Sequence, residues 1–172
     1  MMTKGIAGAA MLCLWAAVAQ AGPVSIGFEG PGAGAAPVEM EEDGYRIVTR
    51  DAVISGPAKS GDGTDGPNEI ESVMGARGAI AILRDVPFAF VSLDWQSEGG
   101  APRVVAEGYL GQRLVARDSF ATSGAGFATF PAEALAGQVI DRLILTPQRN
   151  RAGMGALDRV ILDEVPQGAP SS

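Results

Sequence analysis

Short runs of Val, Ile, Leu and Phe recur from residue 24 to residue 165, broken at fairly even spacing by Gly, Pro, Asp and Ser. Runs of this length, several with apolar and polar positions alternating, are the mark of half-buried strands. The pattern predicts strands over 24–28 (VSIGF), 45–50 (YRIVTR), 78–83 (GAIAIL), 88–95 (FAFVSLDW), 103–109 (RVVAEGY), 113–120 (RLVARDSF), 126–130 (GFATF), 139–145 (VIDRLIL) and 157–165 (LDRVILDEV). Only PAEALAG (131–137) has helical character, over about two turns at most. So many short strands predict an all-β fold: a two-sheet antiparallel sandwich, with a closed barrel as the alternative.

Individual stretches refine this. In FAFVSLDW, strict alternation puts Phe88, Phe90, Ser92 and Asp94 on one face and Ala89, Val91, Leu93 and Trp95 on the other. Both faces are then largely apolar, as in a strand covered on two sides or one that ends at a loop. GYLGQRL reads as a hairpin that turns through Leu110-Gly111-Gln112. EMEEDG (39–44) reads as an exposed acidic turn, and GPGAGAAP (30–37) and residues 55–69 read as connections. IDRLIL (140–145) and LDRVIL (157–162) form a short repeat with Asp141 and Asp158 equivalent.

The N-terminus follows a different rule. Lys4 precedes an apolar run from Ile6 to Ala19, and Ala19-Gln20-Ala21 is a small-x-small cleavage site. This is the pattern of a Sec-type secretory signal, cut after Ala21, with a run short for a membrane span. The expected organisation is a signal peptide over 1–21, one β-sandwich domain over 22–166 and a disordered tail over 167–172. The expected location is secreted or periplasmic, with no membrane attachment after cleavage.

Composition narrows the chemistry. The chain has no histidine, and its one cysteine, Cys13, lies within the signal. Disulfides, a Ser-His-Asp triad, a cysteine nucleophile and a His/Cys zinc site are therefore excluded from the mature domain. Any metal site there must be built from oxygen, which points to a hard cation such as calcium. Of 13 basic residues Lys4 leaves with the signal, so 12 remain against 20 acidic ones, a net charge of −8. That balance opposes nucleic acid as a partner.

Asp158 raises a specific question, because alternation puts it on the face of Val160 and Leu162. An inward carboxylate requires compensation. An arginine such as Arg142 is one candidate, and a place at the strand mouth in water is another.

The order SIGFEG, FAFVSLDW, VVAEGYLGQRLVARDSF and VIDRLIL…MGALDRVILDEV resembles exported bacterial β-sandwich proteins similar to galactose-binding-like jelly rolls and carbohydrate-binding modules. The resemblance covers residues 24–165 and implies a jelly-roll sandwich. It also implies a structural calcium tying the first strand to the last, with Glu29 and Asp158 as ligands.

Three functions follow as expectations. The first is a non-catalytic binding module for a glycan or envelope polymer, with Trp95 as an aromatic platform and Tyr109, Asp94 and Glu98 as further ligand-binding residues. Trp95 reads equally as a lid on the core edge. The second is a structural or protein-interaction domain of the cell envelope without a small ligand. The third is a carboxylate-based glycoside hydrolase using Asp94 and Glu98. Asp163 and Glu164, adjacent on a strand, point to opposite faces and do not form such a pair.

Overall fold

The computed structural model describes residues 22–29, 39–55, 69–72, 78–96, 103–121, 126–148 and 155–165. Among these residues eleven strands form, all paired antiparallel: β1 (Val24–Ile26), β2 (Glu39–Glu42), β3 (Tyr45–Arg50), β4 (Ala52–Ser55), β5 (Glu69–Ser72), β6 (Ala79–Gln96), β7 (Arg103–Leu110), β8 (Arg113–Ala121), β9 (Phe127–Pro131), β10 (Ile140–Gln148) and β11 (Ala156–Glu164). PAEALAG, predicted to be helical, forms tight turns instead, closed by the Ala136 N–H to Glu133 O and the Gln138 N–H to Leu135 O. Those amides bond three residues back, and the next residue to leave the turn is Gly137 at φ 68°.

The sandwich is organised by β6, which the sequence reads as two strands. Its first half pairs with β3 on one edge and β10 on the other. Its second half pairs with β11 and β9. Phe88 marks the changeover, facing Ile140 of β10 and Glu164 of β11. Pro87, which has no N–H to donate, stands immediately before it, where a ladder bond is dispensable. One layer is therefore β2-β3-β6-β10-β7-β8, and the other holds β9, the far half of β6, β11, and then β1 and β5-β4 along the outer edge of β11. A strand that switches sheets at a bend is a known way of making a sandwich corner.

The layers meet through aromatic rings. Phe90 of β6 approaches Phe120 of β8 at 6.4 Å, and Phe120 stacks on Phe130 of β9 at 5.4 Å. Around them Ile26, Ile47, Ile82, Leu143, Leu145, Val160 and Leu162 are buried in one continuous core. Full burial of each such side chain is worth about 1.5–3 kcal/mol before entropy is charged.

Turn chemistry sets the hairpins. Asp43 and Gly44 join β2 to β3 with φ of 49° and 78°, the two positive values of a type I′ turn. The acidic stretch read as a turn is thus a turn only at its end, and Glu39–Glu42 form a strand. In the β7–β8 hairpin Leu110 pairs with Arg113, so the loop is Gly111-Gln112, with Gly111 at φ 60°.

Candidate functional site

Trp95 is not a platform. It is 1% exposed, faces Leu157 of β11 and Ala128 of β9 in register, and its indole packs against Gly155. A bulge is the reason. Leu162 faces Phe90 while Ile161 faces Ser92, so Val91 is an extra residue and turns outward, 40% exposed. Beyond it the alternation changes parity, and Phe88, Phe90, Leu93 and Trp95 all enter the core. The two apolar faces of FAFVSLDW are one face, read across a bulge.

Asp94 is buried and already committed. Its Oδ1 accepts the Thr129 hydroxyl of β9 at 2.7 Å, and its Oδ2 pairs with Arg159 Nη2 of β11 at 2.7 Å. This rung crosses three strands and leaves neither carboxylate oxygen idle. Glu98, the proposed partner of Asp94, lies outside the described residues, as do residues 30–37, 56–68, the signal segment 1–21 and the tail.

Asp158 is fully buried, as alternation predicts. Leu157 faces Trp95 and Arg159 faces Asp94, two adjacent residues of β6, so Asp158 is the extra residue of a second bulge. On the other edge of β11, β5 covers Ala156–Leu157 and β1 covers Val160–Leu162, which leaves Asp158 in the notch between them. Arg142 is not its partner: it packs on Tyr109, while Arg159 goes to Asp94. Asp141, its counterpart in the repeat, accepts the Gly111 N–H at 2.7 Å. Glu29 is exposed just past Phe28, a buried residue held at φ 62°. Glu42 Oε1 accepts the neighbouring Gly27 N–H at 2.7 Å. No three His, Cys, Asp or Glu side chains gather in a metal-binding group among the described residues.

Tyr109 stands elsewhere, on the outer face of the six-stranded layer. The registers align two rows across that layer. One runs Glu41, Arg46, Leu83, Arg142, Tyr109, Leu114, and the other Glu39, Val48, Ala81, Ile144, Glu107, Arg117. The Arg142 guanidinium lies 4.7 Å from the centre of the Tyr109 ring, and its Nη2 donates to Gly111 O at 3.1 Å. The Tyr109 hydroxyl donates to Glu107 Oε2 at 3.3 Å, and Arg117 grips Glu107 Oε1 through Nε and Nη2. Among the described residues Tyr45 and Trp95 are buried, so Tyr109 is the one tyrosine or tryptophan partly open to solvent.

Sequence reading finds Tyr109 but misses Arg142, Glu107 and Arg117. Counting from the hairpin turn would place Glu107 opposite Ala116. The bulge between Gly108 and Tyr109 inserts Val115 and brings Arg117 opposite Glu107 instead.

No protein-family model matches the chain, and no curated protein matches it. Among solved structures it is similar to a family 29 carbohydrate-binding module from Piromyces equi, with 14% identity and a TM-score of 0.47 over 73% of this chain and 83% of that one. It is also similar to a mutant of CBM29-2 complexed with cellulohexaose, with 13% identity and a TM-score of 0.47 over 83% and 91%. The strand pairing itself, not this likeness, defines the sandwich.

Proposed function

We propose that the chain is an exported, non-catalytic binding module that takes a glycan or other envelope polymer on the outer face of the six-stranded layer. The observation that carries this is the Tyr109–Arg142 stack beside the Glu107–Arg117 pair. A sugar ring offers CH groups to an aromatic or guanidinium plane and hydroxyls to charged hydrogen-bonding groups, and both kinds of surface lie side by side here. Among the described residues the face is a sheet surface, which suits a polymer. The hydrolase reading fares worse, because both oxygens of Asp94 are already bonded. The signal-like N-terminus supports export.

The test is electrophoresis of the protein through gels containing soluble polysaccharides. Retardation by at least one polymer, abolished by Tyr109→Ala and unchanged by Val91→Ala on the other layer, is the expected result. Retardation that survives Tyr109→Ala overturns this placement of the site.

A structural calcium at the seam of β1 and β11 is the second part of the proposal. The observation favouring it is the buried carboxylate of Asp158 in the notch where neither β1 nor β5 pairs with β11. Side chains alone do not complete a shell, so Glu29 and backbone carbonyls would join Asp158 in holding the ion.

A further inference from the structure

The charge of the protein is unevenly spread. The chain as a whole is acidic, at −7, yet the outer face of the six-stranded layer carries Arg46, Arg50, Arg103, Arg117 and Arg142 against Glu39, Glu41 and Glu107. At the hairpin end Arg113 stands against Asp141, Asp85 and Asp43, so that end is acidic. Glu39 and Glu41 lie on β2 at the far edge, so the middle of the face is positive.

The middle of the face also has a shape. Ala79 and Ala81 on β6 are small; Arg50 and Val48 of β3 stand beside them on one side and Ile144 of β10 beside Ala81 on the other, while Leu83 sits between Arg46 and Arg142 in the next row. The small side chains of Ala79 and Ala81 thus leave a shallow dip on β6, with Arg50 at one end and the Arg46–Leu83–Arg142 row at the other. Arg46 and Arg142 stand two strands apart, about 10 Å, and Arg46 and Arg50 are four residues apart along β3, about 13 Å. Arg117 is held by Glu107, and Arg142 keeps its stack on Tyr109 and its bond to Gly111 O. Among the described residues no carboxylate pairs with Arg50, Arg103 or Arg142. Arg46 meets Glu39 at 3.2 Å with both side chains more than half exposed, a contact easily exchanged for another anion.

We infer that the polymer taken by this face is anionic, a carboxylate-bearing polysaccharide lying along β6 with its acid groups read by Arg46, Arg50 and Arg142. This rests on the binding-module reading and narrows it. Arginine offers a carboxylate two parallel donors in a fixed plane, and a neutral glycan gives no reason to collect so many on one face of an acidic protein.

The experiment compares polygalacturonate with its fully methyl-esterified form, which keeps the backbone and removes the charge, in gel retardation and calorimetry at low and high sodium chloride. The expected result is binding to polygalacturonate that weakens with salt, at least about tenfold weaker binding to the ester, and about tenfold loss in Arg142→Gln and in Arg50→Gln. Arg50 is exposed, so its substitution spares the fold if Arg142→Gln, which packs on Tyr109, does not. Equal, salt-insensitive binding to acid and ester, lost in Tyr109→Ala, overturns the anionic inference while the binding-module reading stands. If neither form binds but a neutral glucan does, the inference falls in the same way. Retention of no polysaccharide at all overturns both.

Discussion

Gly155 lies beneath the indole of Trp95, so close that a methyl group on its Cα would overlap the carbonyl oxygen of Gln96 and sit 2.7 Å from two ring carbons. Backbone cannot move aside as a side-chain end can. Gly108 is crowded differently, since a Cβ there would lie 2.5 Å from Leu135 Cδ2 and 2.9 Å from Ile140 Cγ2, both ends of rotatable side chains. Gly108→Ala should cost about 1–3 kcal/mol by overpacking, and Gly155→Ala clearly more. Urea unfolding of the two variants measures the order, and a milder Gly155→Ala would contradict the packing described.

Asp118 of β8 is buried and gathers three amides of the turn after β9: the N–H groups of Glu133, Ala134 and Leu135, at 3.0, 2.7 and 3.1 Å. It acts as an N-cap supplied from another strand, and it holds Leu135 in the core. Asp118→Ala should destabilise by about 2–4 kcal/mol, because three donors lose a charged acceptor. Asp118→Asn, with one oxygen left, should fall between. Amide exchange at residues 133–135 should accelerate more than elsewhere in both variants.

Removal of Arg159 alone strands the buried Asp94 carboxylate with only Thr129. Arg159→Met should cost about 2–3 kcal/mol, below the range for a fully buried pair because Arg159 is one-third exposed. The double change Asp94→Leu with Arg159→Met should recover most of that loss. A double-mutant cycle in denaturant reads the coupling, and simple additivity would mean the pair is not coupled.

Burial pushes the Tyr45 hydroxyl above its ordinary value, against the opposing pull of Arg84, which bonds to it at 3.2 Å and stacks on its ring at 4.8 Å. Burial would also lower Arg84, but its bonds to Glu164 and Tyr45 outweigh that and raise it. The folded state thus holds the Tyr45 proton more tightly than the unfolded chain, whose tyrosines titrate near 10. That stability is present below about pH 10 and is lost as pH rises through the folded value. Tyr45→Phe should flatten the alkaline slope of stability, and Arg84→Gln should push the phenol higher still, as read by phenolate absorbance.

Calcium at the β1–β11 seam predicts a higher thermal midpoint in excess calcium than in chelator, worth about 2.7 kcal/mol at a hundredfold excess over Kd. The difference should vanish in Asp158→Asn. A midpoint that ignores calcium removes that part of the proposal.

What the sequence disclosed was whatever obeyed simple alternation. YRIVTR is a strand over its full predicted length, with Tyr45, Ile47 and Thr49 buried and Arg46 and Arg50 exposed. Asp158 enters the core as its parity requires. Bulges hid the rest, because an inserted residue such as Val91 or Val115 reverses every later inference about which side a residue faces. For that reason Trp95 belongs to the core, the second of its two readings, and Arg117 stands opposite Glu107. The break read at RDVP is a bend inside β6, whose charged and proline residues resemble a turn. Residues 39–42 were masked by their charge, since an edge strand can be acidic where a central one cannot.

Because β6 belongs to both layers, Ala79 and Ala81 on the outer face and the strand that seats Trp95 are one length of covalent backbone. The two layers are joined by covalent backbone at Phe88, where the partner of β6 changes from β10 to β11. A load on the outer face of the six-stranded layer would therefore pass along β6 into the strand that seats Trp95 in the core.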